Sequence, residues 1–207
     1  MKILLTAFDA FGGETINPAQ EAVKRVTNHL NGAQIIKLTV PTVFGAAGDT
    51  VTTAIREHTP NAVVCVGQAG GRAGITPERV AINIEDATIP DNAGITLVDK
   101  PILPGGPAAY FSTLPVKAMV QAIKGIGLPA SLSNSAGTFV CNHLMFRVLH
   151  LLNTEYPGMI GGFIHVPFLP GQAAAQPKPT PSMELDDIVH GLEAALAALI
   201  QSLHKAV

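Results

Sequence analysis

The sequence predicts an α/β fold: a three-layer α/β/α sandwich around a mixed, mostly parallel central sheet. Three observations predict it. Residues 62–67 and 159–166 are short continuous apolar runs, the pattern of strands buried on both faces. Between such runs lie segments of ten or more residues whose apolar positions recur at helical spacing. Neither an internal repeat nor a linker breaks the alternation, so a single catalytic-sized domain over 1–207 is expected.

Residues 2–8 form the first strand, and Asp9 stops the apolar run before it reaches signal-peptide length. A loop through Gly12 and Gly13 leads to a helix opened by Asn17 as N-cap and Pro18 at the first helical position, where its missing N–H costs nothing. A strand over 33–40 ends at Pro41, a helix covers 46–58, and 62–67 is the central parallel strand. Strands follow over 79–84 and 130–134, with a helix over 115–126 between them that turns Val116, Met119, Val120 and Ile123 to one side. A helix over 142–152 and a strand over 159–166 come next. Pro167, Pro170, Pro177, Pro179 and Pro181 then predict an irregular loop, because proline interrupts both regular structures. The last helix starts near Ser182, with Glu184, Asp186 and Asp187 at the positive end of its dipole; it buries Leu185, Ile188, Val189, Leu192, Leu196, Leu199 and Leu203.

Composition narrows the function. The chain is 47% hydrophobic and 14% charged. Its mean hydropathy of +0.34 implies more apolar surface than a monomer needs, hence a homo-oligomer. Thirteen basic and fifteen acidic residues give a formal charge of -2 without a Lys/Arg cluster, which argues against nucleic acid. The Leu- and Ala-rich C-terminal segment is interrupted by His190, Glu193 and Lys205, so no membrane span is expected and the protein is placed in the cytoplasm. Cys65 and Cys141 are too few for a disulfide framework and should remain thiols. No H-E-x-x-H motif or cysteine pair suggests a metal, and no cofactor is expected.

Cys141 stands where a helix begins. There the free backbone N–H groups and the dipole favour a thiolate, able to lower a cysteine pKa from about 8.5 to between about 3.5 and 7.5, and the same groups can hold an oxyanion. Cys65 lies inside an apolar strand and is expected to be inert. Of the seven histidines, His29, His58, His190 and His204 fall in or near helix ends and are most simply solvated. His143 and His150 share the Cys141 helix and mostly point away from its start. His165 closes the strand over 159–166, at the carboxyl end where such sheets assemble their sites. An imidazole base needs a partner on its other nitrogen; Glu78, Glu85, Asp86 and Asp91 are all candidates, and spacing does not choose among them.

These segments together resemble the pyroglutamyl peptidase I family. The resemblance rests on Leu4-Leu5-Thr6-Ala7-Phe8-Asp9-Ala10-Phe11-Gly12-Gly13-Glu14 with Asn17-Pro18, and on Gly67-Gln68-Ala69-Gly70-Gly71-Arg72 through Glu78-Arg79-Val80-Ala81-Ile82-Asn83 to Ile89-Pro90-Asp91-Asn92. Ser135-Ala136-Gly137-Thr138-Phe139-Val140-Cys141-Asn142 and His165-Val166-Pro167 complete it. The resemblance implies a Glu78, Cys141 and His165 triad that hydrolyses N-terminal pyroglutamyl peptides through a thioester. It also implies a lactam pocket from Phe8, Phe11, Ile89, Phe139 and Val140 with polar contacts at Gln68, no metal, and a homotetramer. Pyroglutamate has no free α-amine, so an apolar slot with a few amide partners suffices. One departure is Thr88, where the family usually carries an arginine near the site; the N–H at Cys141, or Arg72, is then expected to hold the oxyanion. Two rival readings are a phosphate cradle over residues 67–74 with Arg72, as in a nucleoside phosphorylase, and a non-catalytic interaction module.

Overall fold

The computed structural model describes residues 1–205. The elements run β1 (Lys2–Phe8), α1 (Pro18–Arg25), β2 (His29–Leu30), β3 (Ala33–Val40), α2 (Ala46–His58), β4 (Ala62–Gln68), β5 (Thr76–Pro77), β6 (Val80–Ile82) and β7 (Ala109–Phe111). They continue with α3 (Val116–Gly125), α4 (Val140–Glu155), β8 (Ile160–Val166), α5 (Pro170–Ala174) and α6 (Leu185–Lys205).

The main sheet has the order β2-β3-β1-β4-β8-β5. Its four central strands are parallel, and antiparallel β2 and β5 close the edges. Alternation along the strands divides the core in two. Ile3, Leu5, Ala7, Val64, Val66, Ile164 and Val166 face one layer, packed with α1, α3 and α6. Leu4, Phe8, Val63, Cys65 and Phe163 face the other, packed with α2 and α4. The predicted α/β/α sandwich with its mixed, mostly parallel sheet is thus the observed one.

Local chemistry explains several boundaries. Asn17 caps α1, its side-chain oxygen accepting from the Ala19 N–H at 3.0 Å, with Pro18 next in line. Thr59 ends α2 in the left-handed conformation, φ 43°. Four expectations are corrected. The strand over 79–84 shrinks to β6, which pairs with the unforeseen β7 in a separate two-stranded sheet. Residues 130–134 make only isolated bridges, Ile75 with Ala130 and Glu78 with Ser133. The proline-rich stretch holds a short helix, α5, because Pro170 falls at a position where proline is compatible with a helix start. His29 sits in β2 rather than at a helix end, and it is exposed. Among the described residues no helix is long and apolar enough to cross a membrane.

Candidate active site

Three elements converge at the carboxyl end of the central sheet. Cys141 is the second residue of α4, whose N-terminus receives no side-chain cap from Phe139, so its first amides are open. β4 runs beneath it. A side-chain carbon added at Gly67 would lie 3.0 Å from the Cys141 sulfur and 2.8 Å from the Phe163 ring, so only glycine leaves room for the thiol there. Gly67 is the register partner of His165 on β8. Paired residues of parallel strands project to the same face, about 4.8 Å apart, so the imidazole and the sulfur share one side of the sheet. The Phe163 ring lies against the imidazole with centroids 4.7 Å apart.

Glu78 follows β5, the edge strand whose Thr76 registers with His165, and its N–H donates to the Phe163 carbonyl at 2.9 Å. This places its carboxylate, fully buried, against the 3% exposed His165, with Nδ1 to Oε1 at 2.7 Å. Arg72 Nη1 donates to the same oxygen at 2.5 Å and to Thr76 Oγ1 at 2.5 Å, while Nη2 donates to the Ser135 carbonyl at 3.1 Å. Committed to these partners, Arg72 is not the free oxyanion holder that Thr88 made conceivable, and Thr88 itself is exposed.

Burial pushes the Cys141 thiol up to about 12, and the Glu78 charge adds to this; Arg72 and the residue's own N–H pull the other way. The expected depression by the helix N-terminus is therefore overridden by desolvation. Burial also holds His165 below its ordinary value, against the hydrogen bond and charge of Glu78, with Arg72 adding to the lowering. For Glu78, burial works upward but is outweighed by the hydrogen bond and charge of His165, then by Ser133 and Arg72, leaving the carboxyl below its usual range. Thiol and imidazole thus both rest neutral beside an ionised carboxylate. Cys65 is fully buried and also pushed up to about 12 by burial, in keeping with an inert thiol.

The remaining residues fall into two groups. Phe11 and Phe139 are half-buried with ring centroids 6.1 Å apart, Ile89 is 41% exposed, and half-buried Gln68 accepts from Gln172 Nε2 at 3.1 Å. Phe8 and Val140 are buried in the core, Phe8 with its centroid 6.2 Å from Phe163, so they underlie the surface without opening onto it. The other three carboxylates have separate fates. Glu85 pairs with His143, Asp91 accepts from the amides of Phe44, Ala93 and Ile95, and Asp86 donates and accepts through its backbone with Thr138. Arg72, expected near the site as an oxyanion or phosphate contact, instead holds the Glu78 carboxylate, and Gln172 joins the site by contact alone, marked by neither spacing nor periodicity. An open groove of about 690 Å³, lined by Arg72, Thr76, Pro129 and Ser131 among others, lies beyond Glu78 and includes none of the aromatic residues. Among the described residues no group of three or more His, Cys, Asp or Glu is arranged to hold a metal ion.

Set beside known proteins, residues 1–202 match the sequence model of the pyroglutamyl peptidase family. The chain is 56% identical over 201 residues to the pyrrolidone-carboxylate peptidase of Lactobacillus johnsonii, covering 97% of this chain and 93% of that protein. It is 52% identical over 202 residues to that of Clostridium botulinum, covering 98% and 94%. Pyroglutamyl peptidase I of Bacillus amyloliquefaciens, a crystal structure, superimposes with a TM-score of 0.92 at 47% identity, covering 97% of each chain. A mutant pyrrolidone carboxyl peptidase from the hyperthermophile Pyrococcus furiosus does so with a TM-score of 0.94 at 38% identity, covering 98% of this chain and 100% of that one.

Proposed function

This chain belongs to the pyroglutamyl peptidase family, and from that premise we propose that Cys141, His165 and Glu78 carry its chemistry. The protein is a cysteine peptidase that removes an N-terminal pyroglutamyl residue through an acyl-enzyme. The observation that supports the residue roles is the glycine gap at 67, which seats the Cys141 sulfur over β4 on the face where His165 projects with Glu78 behind it.

The resting site is neutral, thiol beside imidazole, so the proton moves as the bond forms. His165 Nε2 takes the Cys141 proton while the sulfur attacks the pyroglutamyl carbonyl. The oxyanion lies against the amides at the start of α4, and Glu78 stabilises the imidazolium. As the tetrahedral intermediate collapses, its C–N bond breaks and His165 passes the proton to the leaving amine. Water, deprotonated by the same nitrogen, then cleaves the thioester, releasing pyroglutamate and restoring the thiol. Phe11, Phe139 and Ile89 form an apolar wall for the lactam ring above Phe8 and Val140, and Gln68 supplies an amide contact. This suits a substrate without an α-ammonium group.

Cys141→Ala is expected to abolish cleavage of a pyroglutamyl chromogenic amide while preserving the fold, and iodoacetamide should label Cys141 before the fully buried Cys65. Activity persisting in the variant would exclude the thiol mechanism. The chain acts as one catalytic domain in the cytoplasm and assembles as a homotetramer, a reading supported by exposed Phe111, Val98 and Ile126. A monomer mass by light scattering would remove the assembly.

A further inference from the structure

We propose that Glu85 and His143 are positioning residues for the pyroglutamyl ring, holding the Phe44–Gly45 turn against the aromatic wall and so setting substrate affinity rather than turnover. The inference rests on the reading of Phe11 and Phe139 as that wall.

His143 lies on α4 two residues beyond Cys141 and is 3% exposed, yet it has no part in the proposed triad. Both its ring nitrogens are occupied. Nδ1 pairs with the carboxylate Oε1 of Glu85, itself buried, and Nε2 accepts the N–H of Gly45 at 3.2 Å. A nitrogen that accepts from an amide carries no proton, so the single ring proton sits on Nδ1 and is donated to Glu85. The pair therefore selects one neutral tautomer and offers no site for proton transfer to substrate.

What it holds is a tight turn. Gly45 has φ +74°, a left-handed conformation that side chains other than glycine resist, and it opens α2 without a side-chain cap. The preceding amide, that of Phe44, donates to Asp91 Oδ2 at 2.9 Å, so two consecutive N–H groups are tied to buried acceptors. Between these ties the Phe44 ring meets the His143 imidazole edge-on, with centroids 5.8 Å apart, and Phe139 edge-on at 5.5 Å. Phe139 in turn lies 6.1 Å from Phe11. Contact thus runs from Glu85 through His143 and Phe44 to the surface where the ring would rest. Edge-to-face pairs are sensitive to tilt, so a turn freed from His143 would blunt the wall without touching the sulfur.

The test compares wild type with Glu85→Gln, His143→Gln, Phe44→Leu and Phe139→Ala. It measures kcat and KM on a pyroglutamyl chromogenic amide together with the rate of Cys141 alkylation by iodoacetamide. Glu85→Gln and His143→Gln are expected to raise KM about tenfold, the loss of about one well-placed hydrogen bond, with kcat within about threefold and alkylation unchanged. An unchanged KM, or a joint fall of kcat and alkylation, would overturn the proposal. If either variant fails to fold, Phe44→Leu decides, because it keeps the pair and removes only the ring edge; the same rise in KM supports the proposal and an unchanged KM sinks it. Phe139→Ala separates the two levels. An unchanged KM there means the wall itself was misread. A raised KM there with normal Glu85→Gln kinetics removes the pair alone.

Discussion

Glu78 with His165 and Glu85 with His143 are the same chemical pair placed twice around the first turns of α4. In both, a buried carboxylate meets Nδ1 of a nearly inaccessible imidazole. They differ in the opposite nitrogen. That of His143 accepts the Gly45 amide, whereas that of His165 has no hydrogen-bond partner among the described residues and lies on the face of the sheet where Cys141 is seated. On the roles proposed for the two pairs, a carboxylate–imidazole pair is not in itself a sign of catalysis. What decides is whether the distal nitrogen is satisfied by the fold or left for a reacting atom.

The largest effect is expected from His165→Ala, a fall in kcat/KM of about 10⁴-fold from the loss of base and acid together. A loss under about tenfold would show that the free nitrogen is not the base. Gly67→Ala should follow, at about 10²-fold, because the added methyl would press on the Phe163 ring at 2.8 Å and on the Cys141 sulfur at 3.0 Å, disturbing the seat of the thiol. Near-normal turnover, measured with alkylation of Cys141 on the same sample, would show that the gap is incidental.

The smallest effect lies in the pH dependence. His165 is held below its ordinary 6.5 by burial, so it sheds its proton earlier on the way up and the neutral base persists further on the way down. The acid limb of kcat/KM should accordingly fall below pH 6.5, and a limb above that value would contradict the assignment. The stability sign agrees. His165 and Glu78 both bind protons less readily folded than unfolded, so stability is full above their ordinary values and declines as pH falls, first below 6.5 and then below 4.5. Thermal unfolding across that range checks it.

Regular elements were legible wherever a period had room to show itself. The bounds of β1, β3 and α2 match those expected, because each repeats an apolar pattern over seven or more residues. β5, β6 and β7 span two or three residues, too few for any period, and their pairing partners are distant in sequence. α5 was hidden because proline, read as a breaker, stands at the one helical position that tolerates it.

The same division runs through the site. That a cysteine opens a helix and a histidine closes a strand can be read from the sequence, since both follow from local apolar patterns and their boundaries. Its order of motifs also determined the family. Spacing left the choice of carboxylate open and the resemblance implied Glu78 for His165; the folded chain shows that pairing together with the unforeseen one of Glu85 with His143, because the two glutamates are seven positions apart on a stretch whose course depends on β8, α4 and Lys100. Likewise the thiol's character was settled by packing. A helix terminus acts locally and favours the anion, but desolvation is a property of everything that surrounds the sulfur, and here it prevails.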